Sequence, residues 1–259
     1  SMLAVSRDGR GKDARIVSMS TDGTGVSRVT KSTAIEMLPA WGPDGSVLLT
    51  SYAKGNPDLY IVRGGNGKRI SSHPGMNSGA SYCPGNGRIA LTLAKDGDAE
   101  IYTMAKDGSD LRRLTTNRAI DTSPVWSPDC SKIAFVSDRA GSPQIYIMDA
   151  NGSNTTRLTT VGKYNANPSW TKNDVIAFSA RDESHNLDIY TIRADGSDLT
   201  RITQQQGKND KPSWSPCGRY IAFSSTRDGS SRIYIATSDG KSQIAATTSG
   251  WYENPVWGH

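Results

Sequence analysis

The sequence predicts an all-β fold, a six-bladed β-propeller with four antiparallel strands per blade, from three observations. One aromatic position recurs at intervals of 41, 44, 44, 44 and 43 residues, at Trp41, Tyr82, Trp126, Trp170, Trp214 and Trp257. Each interval holds four strand-like runs, which is the content of one propeller blade. The chain also begins with three such runs and ends with one, so its two ends together supply a sixth blade.

Within a unit the strands follow a constant order. Residues 124–135, PVWSPDCSKIAF, hold a first strand, a tight turn and a second strand, and residues 212–223, PSWSPCGRYIAF, repeat them. The third strand carries an Ile-Tyr or Leu-Tyr pair. An Asp-Gly or Asn-Gly turn then supplies the positive φ angles of a hairpin leading to a short fourth strand. Runs such as KIAFVS are apolar on both faces, which is typical of sheets packed between neighbours. We interpret the recurring aromatic side chains as packing between blades.

The two ends of the chain complement each other. LAVS, ARIVSMSTDG and SRVT at the start match second, third and fourth strands, and ENPVWGH at the end matches a first strand. Pairing them closes the ring and removes exposed sheet edges. We therefore expect residues 1–259 to form a single propeller domain, with Ser1, or Ser1 and Met2, as a remnant of tag removal. A seven-bladed ring from a longer parent chain is the competing interpretation.

Composition and cysteine content argue against several classes of protein. The net charge is +5, and the basic residues are scattered rather than grouped with aromatics, so nucleic-acid binding is not expected. No run approaches the roughly 18 apolar residues of a membrane span, and no signal-peptide core is present, so direct membrane insertion is not expected. Cys83, Cys130 and Cys217 are odd in number and form no CxxC pair. We predict three free thiols near the end of the channel opposite the binding face, and no thiolate metal site.

No catalytic motif stands out, and we predict no enzymatic activity. The nucleophile elbow GxSxG is absent. Ser51 to Lys54, SYAK, matches SxxK but leaves a strand for a loop, and we interpret it as a chance match. His185 lies in a polar loop beside Asp182 and Glu183, which favours a solvated histidine over a general base. The Asp-Gly turns lack the glutamate that an EF-hand calcium loop places six residues after its glycine.

Functional residues are expected where the sequences of the repeat units differ from one another. These positions lie at the start of each first strand, around one mouth of the channel. An inner ring of mostly acidic or amide residues is predicted at Glu36, Asn77, Asp121, Asn165, Asn209 and Tyr252. Neighbouring positions in the same segments are included, namely Met37, Thr122, Asp210 and Glu253. An outer basic ring is predicted in the loops between second and third strands, at Arg7, Lys54, Lys95, Arg139, Arg181 and Arg227. Such rings would orient a polar peptide or a charged partner loop. Polar residues that only cap turns are the alternative interpretation.

The unit PxWSPDGxxIAFxSxRxGxxxIYxMDxDGSxxRxLT resembles the repeat of the TolB propeller family. The resemblance covers essentially the whole chain and is carried best by residues 71–116 and 115–160, together with the non-repeat run SSHPGMNS. It implies a six-bladed ring in a non-catalytic, periplasmic component of the Tol–Pal envelope system. The family also has a smaller α/β domain before the propeller, for which this sequence has no counterpart.

The resemblance implies a partner as well. In the family, Pal, a peptidoglycan-associated lipoprotein, docks over the channel mouth, and TolA and bacteriocin peptides are further candidate partners. The family's contact loops correspond here to Met76, Asn77, Gly79, Asp121 and Thr122, with methionine at 76 where some members carry histidine. Calcium in the central channel is compatible with the family. The sequence shows no recognisable set of calcium-ligating residues, so no metal or cofactor is predicted. The implied role is support of outer-membrane integrity and cell division, by a protein that we expect to be monomeric.

Two other functions remain open. The propeller could gate substrate access in a serine peptidase or lyase from which it has been excised. It could also bind glycans as a surface repeat protein, although Trp251 and Tyr252 are then the only candidate channel-facing aromatics.

Overall fold

The computed structural model describes residues 1–7, 13–181, 186–204 and 206–258. These residues form six four-stranded antiparallel sheets, which are the six blades of a propeller. The predicted fold class is thereby confirmed. Blades are numbered here from the first one that is continuous in sequence.

The strands follow in chain order. The N-terminal strands β1 (Met2–Arg7), β2 (Ala14–Met19) and β3 (Ser27–Arg28) belong to blade 6. Blade 1 consists of β4 (Glu36–Trp41), β5 (Val47–Ser51), β6 (Asp58–Arg63) and β7 (Asn66–Ser71). Blade 2 consists of β8 (Asn77–Tyr82), β9 (Ile89–Leu93), β10 (Glu100–Met104) and β11 (Arg112–Arg113). Blade 3 consists of β12 (Asp121–Trp126), β13 (Lys132–Ser137), β14 (Gln144–Asp149) and β15 (Thr156–Arg157). Blade 4 consists of β16 (Tyr164–Trp170), β17 (Val175–Arg181), β18 (Leu187–Arg193) and β19 (Thr200–Arg201). Blade 5 consists of β20 (Asn209–Trp214), β21 (Tyr220–Ser225), β22 (Arg232–Thr237) and β23 (Gln243–Ala245), and β24 (Trp251–Trp257) completes blade 6.

The two ends of the chain close the ring as predicted. Strand β24 pairs antiparallel with β1, with Leu3 opposite Val256, and the sheet order is β24-β1-β2-β3. Met2 pairs with Trp257 and is fully buried, so it belongs to the core of blade 6. The first strand of blade 6 thus comes from the C-terminal end of the chain, and hydrogen bonds join it to the three N-terminal strands.

The core lies between the blades. All five residues of β5 and of β9 are buried, as are Phe135, Phe178 and Phe223 in the second strands of blades 3, 4 and 5. Apolar residues on both faces of a strand are buried only when a neighbouring sheet covers each face. The recurring aromatic contributes to these contacts, since Trp126 packs in one inter-blade cluster and Trp214 in another.

Every innermost strand carries a β-bulge at the same place. In blade 3 the pairing of β12 with β13 shifts between Thr122 and Val125. The backbone is left-handed there in all six blades, with φ between 52° and 60° at Leu38, Gly79, Ser123, Asn167, Lys211 and Asn254. Because only one of the six is glycine, the bulge is imposed by the blade rather than by local preference. The freed N–H of Ser123 donates to Thr92 Oγ1 of the preceding blade at 3.2 Å, which ties neighbouring blades together.

The prediction of three free thiols was wrong. Cys83 and Cys130 form a disulfide with a Cα–Cα distance of 5.5 Å, and Cys217 is free and exposed. Cys83 enters the turn after the first strand of blade 2, and Cys130 lies in the corresponding turn of blade 3. Turns at the same level of adjacent blades approach each other, so cysteines in different blades are close enough to bridge. Cys217 lies in the corresponding turn of blade 5, which is not adjacent to blade 2 or blade 3.

Candidate functional site: the channel mouth

The innermost strand of each blade lines a central channel of about 200 Å³. Its wall repeats one three-residue segment six times, at 38–40, 79–81, 123–125, 167–169, 211–213 and 254–256. We call the end at which these strands begin the mouth. Because second strands run antiparallel to first strands, the loops from second to third strands also lie at the mouth.

The predicted inner ring is present, but most of its side chains are not open to a partner. Five of its members are at most 2% exposed, namely Glu36, Asn77, Asp121, Asn165 and Asn209, whereas Tyr252 is half-buried. These side chains join neighbouring blades. Asn165 Nδ2 donates to Gln144 Oε1 of blade 3 at 2.9 Å, and Asn209 Nδ2 donates to Asp188 Oδ1 of blade 4 at 2.9 Å. The expectation of a ring of acceptors open to a partner is therefore wrong for these five residues. Buried polar side chains generally hydrogen-bond within the fold, and these do so rather than face the channel opening.

The predicted basic ring pairs with the inner ring in two blades. In blade 3, Arg139 Nη2 donates to Asp121 Oδ2 at 2.9 Å. In blade 5, Arg227 Nη2 donates to Asn209 Oδ1 at 3.1 Å. The two rings are thus partners within each of these blades rather than separate layers facing a ligand. Charge-assisted hydrogen bonds to buried acceptors hold the second-to-third-strand loops against the mouth.

The remaining residues of the predicted basic ring do not repeat the contacts of Arg139 and Arg227. Arg7 pairs with Glu253 at 2.8 Å, and Lys95 pairs with Asp96 at 2.8 Å. Arg7 and Arg181 end strands β1 and β17, one position before the place that Arg139 occupies in blade 3. The equivalent places in their own blades, 8 and 182, lie outside the described residues. Lys54 is exposed in the loop of blade 1.

An apolar rim surrounds the mouth, and the sequence analysis named only Met76 and Trp251 of it. The residue just before each inner-ring position is apolar or aromatic in five blades, at Ile35, Met76, Ile120, Tyr164 and Trp251, and is Lys208 in the sixth. Ile120 is 52% exposed, Trp251 38% and Ile35 37%. The alternation of apolar and polar residues at the start of each first strand is the sequence signal that indicates these positions.

Backbone hydrogen bonds show that the rim positions are equivalent. The carbonyl oxygens of Ile35, Met76 and Lys208 each accept an N–H from the residue that follows the second strand of the same blade. The donors are Tyr52, Ala94 and Thr226, at 3.0, 3.1 and 3.1 Å. One backbone geometry therefore presents the rim side chain in each of these blades. We call Ile35, Met76, Ile120, Tyr164 and Trp251 the apolar rim.

Two buried carboxyl groups lie below the mouth. Burial raises the pKa of Glu36, with a hydrogen bond from Thr30 acting in the opposite direction. Burial also raises the pKa of Glu100, and the nearby charge of Asp121 raises it further. Glu100 is held by Arg113 Nη2 at 2.9 Å. These groups stabilise the blade junctions through their hydrogen bonds and ion pairs within the fold.

The motifs considered for catalysis or metal binding gain no support as a site. Ser51 is buried, and its Oγ accepts the N–H of Ala53 at 3.3 Å, while Lys54 points into the exposed loop. His185, Asp182 and Glu183 lie outside the described residues. Among the residues that are described, no group of three or more His, Cys, Asp or Glu side chains is arranged to hold a metal ion. The same residues include no helix with the length and apolar character needed to cross a membrane.

Comparison with known proteins gives a consistent family. The family model described as "TolB beta propeller domain" matches residues 2–186 and 174–259. The Tol-Pal system protein TolB of Desulfosudis oleivorans is 44% identical over 96 residues, which are 36% of this chain and 22% of that protein. The Protein TolB homolog of Chlorobium luteolum is 42% identical over 105 residues, 39% of this chain and 23% of that protein. These matches thus span less than a quarter of the length of either relative.

Solved structures extend the likeness to the whole ring. TolB from Acinetobacter baumannii superposes with a TM-score of 0.88 at 26% identity, covering 98% of this chain and 65% of that one. A puromycin-hydrolyzing peptidase of Mycobacterium tuberculosis gives a TM-score of 0.65 at 13% identity, covering 95% of this chain and 45% of that one. The second likeness shows the fold alone, because propellers carry many unrelated functions.

Proposed function

The chain belongs to the TolB β-propeller family, and on this premise we propose that it is a non-catalytic protein-binding scaffold of the Tol–Pal system. In this proposal a Pal-type lipoprotein docks on the channel mouth, and TolA or bacteriocin peptides are further candidate partners. The role is to support outer-membrane integrity and cell division from the periplasm. The observation that carries the proposal is the apolar rim.

The rim has the character of a protein interface. Ile35, Ile120 and Trp251 are exposed at equivalent positions around one opening, and the other two rim residues are half-buried. Such a recurrence of exposed large apolar side chains is unusual on a monomer surface that serves no partner. Half-buried Met37 and Thr122 follow Ile35 and Ile120 by two positions, half-buried Asp210 stands at the same place in blade 5, and exposed Lys54 and Arg139 lie farther out. An apolar centre with a polar and charged periphery is the typical anatomy of a docking site.

The disulfide supports an extracytoplasmic location. Cys83 is fully buried, and its bridge to Cys130 joins two blades. Structural disulfides persist in oxidising compartments such as the bacterial periplasm and are rare in the reducing cytosol. This agrees with membership of an envelope system.

Binding of a purified Pal periplasmic domain tests the proposal. Ile120→Asp places a charge in the rim and should weaken binding at least tenfold, or about 1.4 kcal/mol, when measured by calorimetry. Thr122→Lys tests the neighbouring position and should act in the same direction.

Ile244→Asp is the matched control. Ile244 is 61% exposed, but it lies on β23, the outermost strand of blade 5. Its substitution should leave the affinity unchanged. Equal affinities of all variants, or an equal loss in the control, would show that the mouth is not the docking site.

A further inference from the structure

Blade 3 holds an arginine in a well-defined cradle at its outer mouth edge. Arg139 Nε donates to Ser137 Oγ at 2.8 Å, and its Nη2 donates to the buried carboxylate of Asp121 at 2.9 Å. The guanidinium carbon lies 4.8 Å from the ring centre of Tyr146 and 5.5 Å from that of Phe135. The cradle therefore combines a hydroxyl, a buried acceptor and an aromatic face, which together suit a planar cation.

Blade 5 repeats this cradle. Arg227 Nε donates to Ser225 Oγ at 2.9 Å, and its Nη2 donates to Asn209 Oδ1 at 3.1 Å. Its guanidinium carbon lies 4.2 Å from the ring centre of Tyr234 and 5.6 Å from that of Phe223. Two copies with the same three contacts show that the arrangement is a property of the repeat.

Blade 1 has the cradle without the arginine. Glu36 lies opposite Ser51 on the neighbouring strand, as Asp121 lies opposite Ser137 in blade 3. The N–H of Ala53 donates to Ser51 Oγ at 3.3 Å, as the N–H of Arg139 does to Ser137 Oγ at 3.3 Å. Ala53 therefore occupies the arginine position with a side chain too short to enter the cradle.

A cavity of about 150 Å³ lies where the guanidinium group would be. Its wall includes the acid Glu36, the hydroxyl group of Ser51 and the aromatic ring of Tyr60, which correspond to the three groups of the cradle in blade 3. Leu49 and Gly67 are also part of the wall, and the missing side chain of Gly67 leaves the face of Tyr60 open. Exposed Ala53 stands at its edge, so a side chain from outside can reach it.

No cation in the described part of the chain lies within ion-pair distance of the acid in this cavity, and the charges of Arg15 and Arg28 lower its pKa only from farther away. Glu36 is 2% exposed, and Thr30 Oγ1 lies 2.6 and 2.8 Å from its two carboxylate oxygens. Among the ion pairs of the described residues, none includes Glu36. Arg15, on the neighbouring blade, instead pairs with Asp13 at 3.2 Å and donates to the carbonyl oxygen of Thr33 at 2.8 Å. A buried carboxylate is stabilised strongly by a cation that can hydrogen-bond to it.

We propose that this blade 1 cavity is a binding site for the guanidinium group of an arginine side chain presented by a partner polypeptide. The guanidinium pairs with Glu36, donates to Ser51 Oγ and stacks on Tyr60, as Arg139 does with its own blade. Arginine is favoured over lysine because the fork of donors and the flat face match the two occupied cradles. The inference rests on the internal comparison of blades and is independent of the Tol–Pal assignment.

Titration of the protein with N-acetyl-L-arginine methylamide tests the site, with binding followed by NMR shifts of blade 1 residues. We expect saturable binding with a dissociation constant on the order of 1 mM. The citrulline analogue, which is neutral and of the same shape, should bind at least tenfold more weakly. Equal binding of the two ligands, or no saturation at concentrations well above that constant, would overturn the proposal.

Two variants separate this site from general electrostatic attraction. Ala53→Arg supplies the guanidinium from within the chain and should abolish binding of the arginine amide, because the cavity is then filled. Ala140→Arg adds the same charge to the equivalent loop of blade 3, beside an occupied cradle, and should leave binding unchanged. Undiminished binding in Ala53→Arg would place the ligand elsewhere.

A converse experiment creates the site in another blade. Arg227→Ala empties the cradle of blade 5 and should lower the melting temperature. The arginine amide should restore part of that loss, whereas the citrulline analogue should not. A lack of rescue would show that the cradle does not accept a guanidinium group from solution, and would count against the site in blade 1.

Discussion

Reduction of the Cys83–Cys130 disulfide is expected to destabilise the propeller substantially without opening its ring. The bridge joins the turns of blades 2 and 3, whereas the ring is closed by the pairing of β24 with β1 on another side. Both cysteine turns lie at the end of the channel opposite the mouth. Reduction should therefore leave the blades assembled, while it removes a constraint from the unfolded chain.

The magnitude follows from the length of chain that the bridge encloses. The two cysteines are 47 residues apart. The chain-entropy relation for such a loop gives about 4 kcal/mol, and residual structure in the unfolded state lowers this to about 2–4 kcal/mol. For a domain of this size each kcal/mol corresponds to roughly 2–4 °C in melting temperature. We expect reduction to lower the melting temperature by roughly 5–15 °C.

The assay compares thermal unfolding with and without reductant and counts thiols by mass spectrometry. Alkylation of the denatured, unreduced protein should modify only Cys217, and alkylation after reduction should modify all three cysteines. Cys217→Ser is the control, because that residue is exposed and unbridged. It should preserve the whole shift. Modification of all three cysteines before reduction, or an unchanged melting temperature after complete reduction, would refute the reasoning.

Three further predictions follow from backbone strain and from pKa shifts. Cys130 has a φ of 61° in a turn that favours glycine, so Cys130→Gly should be more stable than Cys130→Ala by about 1 kcal/mol in chemical denaturation; the reverse order would contradict this. Hydrogen bonds from Ser215 and then Arg219 lower the pKa of Cys217 from 9.0 to about 7, so its alkylation rate should reach half of its maximum near pH 7, and Arg219→Ala should move that midpoint upward. Burial raises the pKa of Glu36 above 4.5, so the stability contributed by its neutral form is complete below pH 4.5 and is lost as pH rises through the raised value. Glu36→Gln should therefore match the wild type at low pH and exceed its unfolding free energy increasingly as pH rises, and a difference that is independent of pH would argue against this assignment.

The candidate site was only partly predictable. The sequence indicated the starts of the first strands as the place to look, but a polar residue there looks the same whether it faces a partner or a neighbouring blade. Asn165 and Asn209 bond to residues 21 positions earlier in the chain, and Arg139 reaches an acid 18 positions away. Such contacts depend on how blades pack rather than on local propensity. Ile35 and Ile120 are exposed although each stands beside a buried polar residue, which is the reverse of what side-chain polarity alone predicts.

The disulfide and the blade 1 cavity were beyond sequence reasoning for a related reason. The spacing of cysteines does not give the distance between turns of adjacent blades. Ala53 resembles any other small loop residue until its position is compared with that of Arg139 in three dimensions. A cavity is formed by all the atoms around it, so no single segment of the sequence can predict that it is there.

The number of blades, the antiparallel order of strands and the closure of the ring could all be predicted from the amino-acid sequence. This was possible because turns, strand patterns and the recurring aromatic are local and are repeated several times. Which polar residues are buried, which cysteines pair and where a cation could bind became clear from the three-dimensional arrangement of the blades. Those properties arise from contacts between blades, where residues far apart in the chain share one small volume and where the copies, equivalent in backbone, differ in a single side chain.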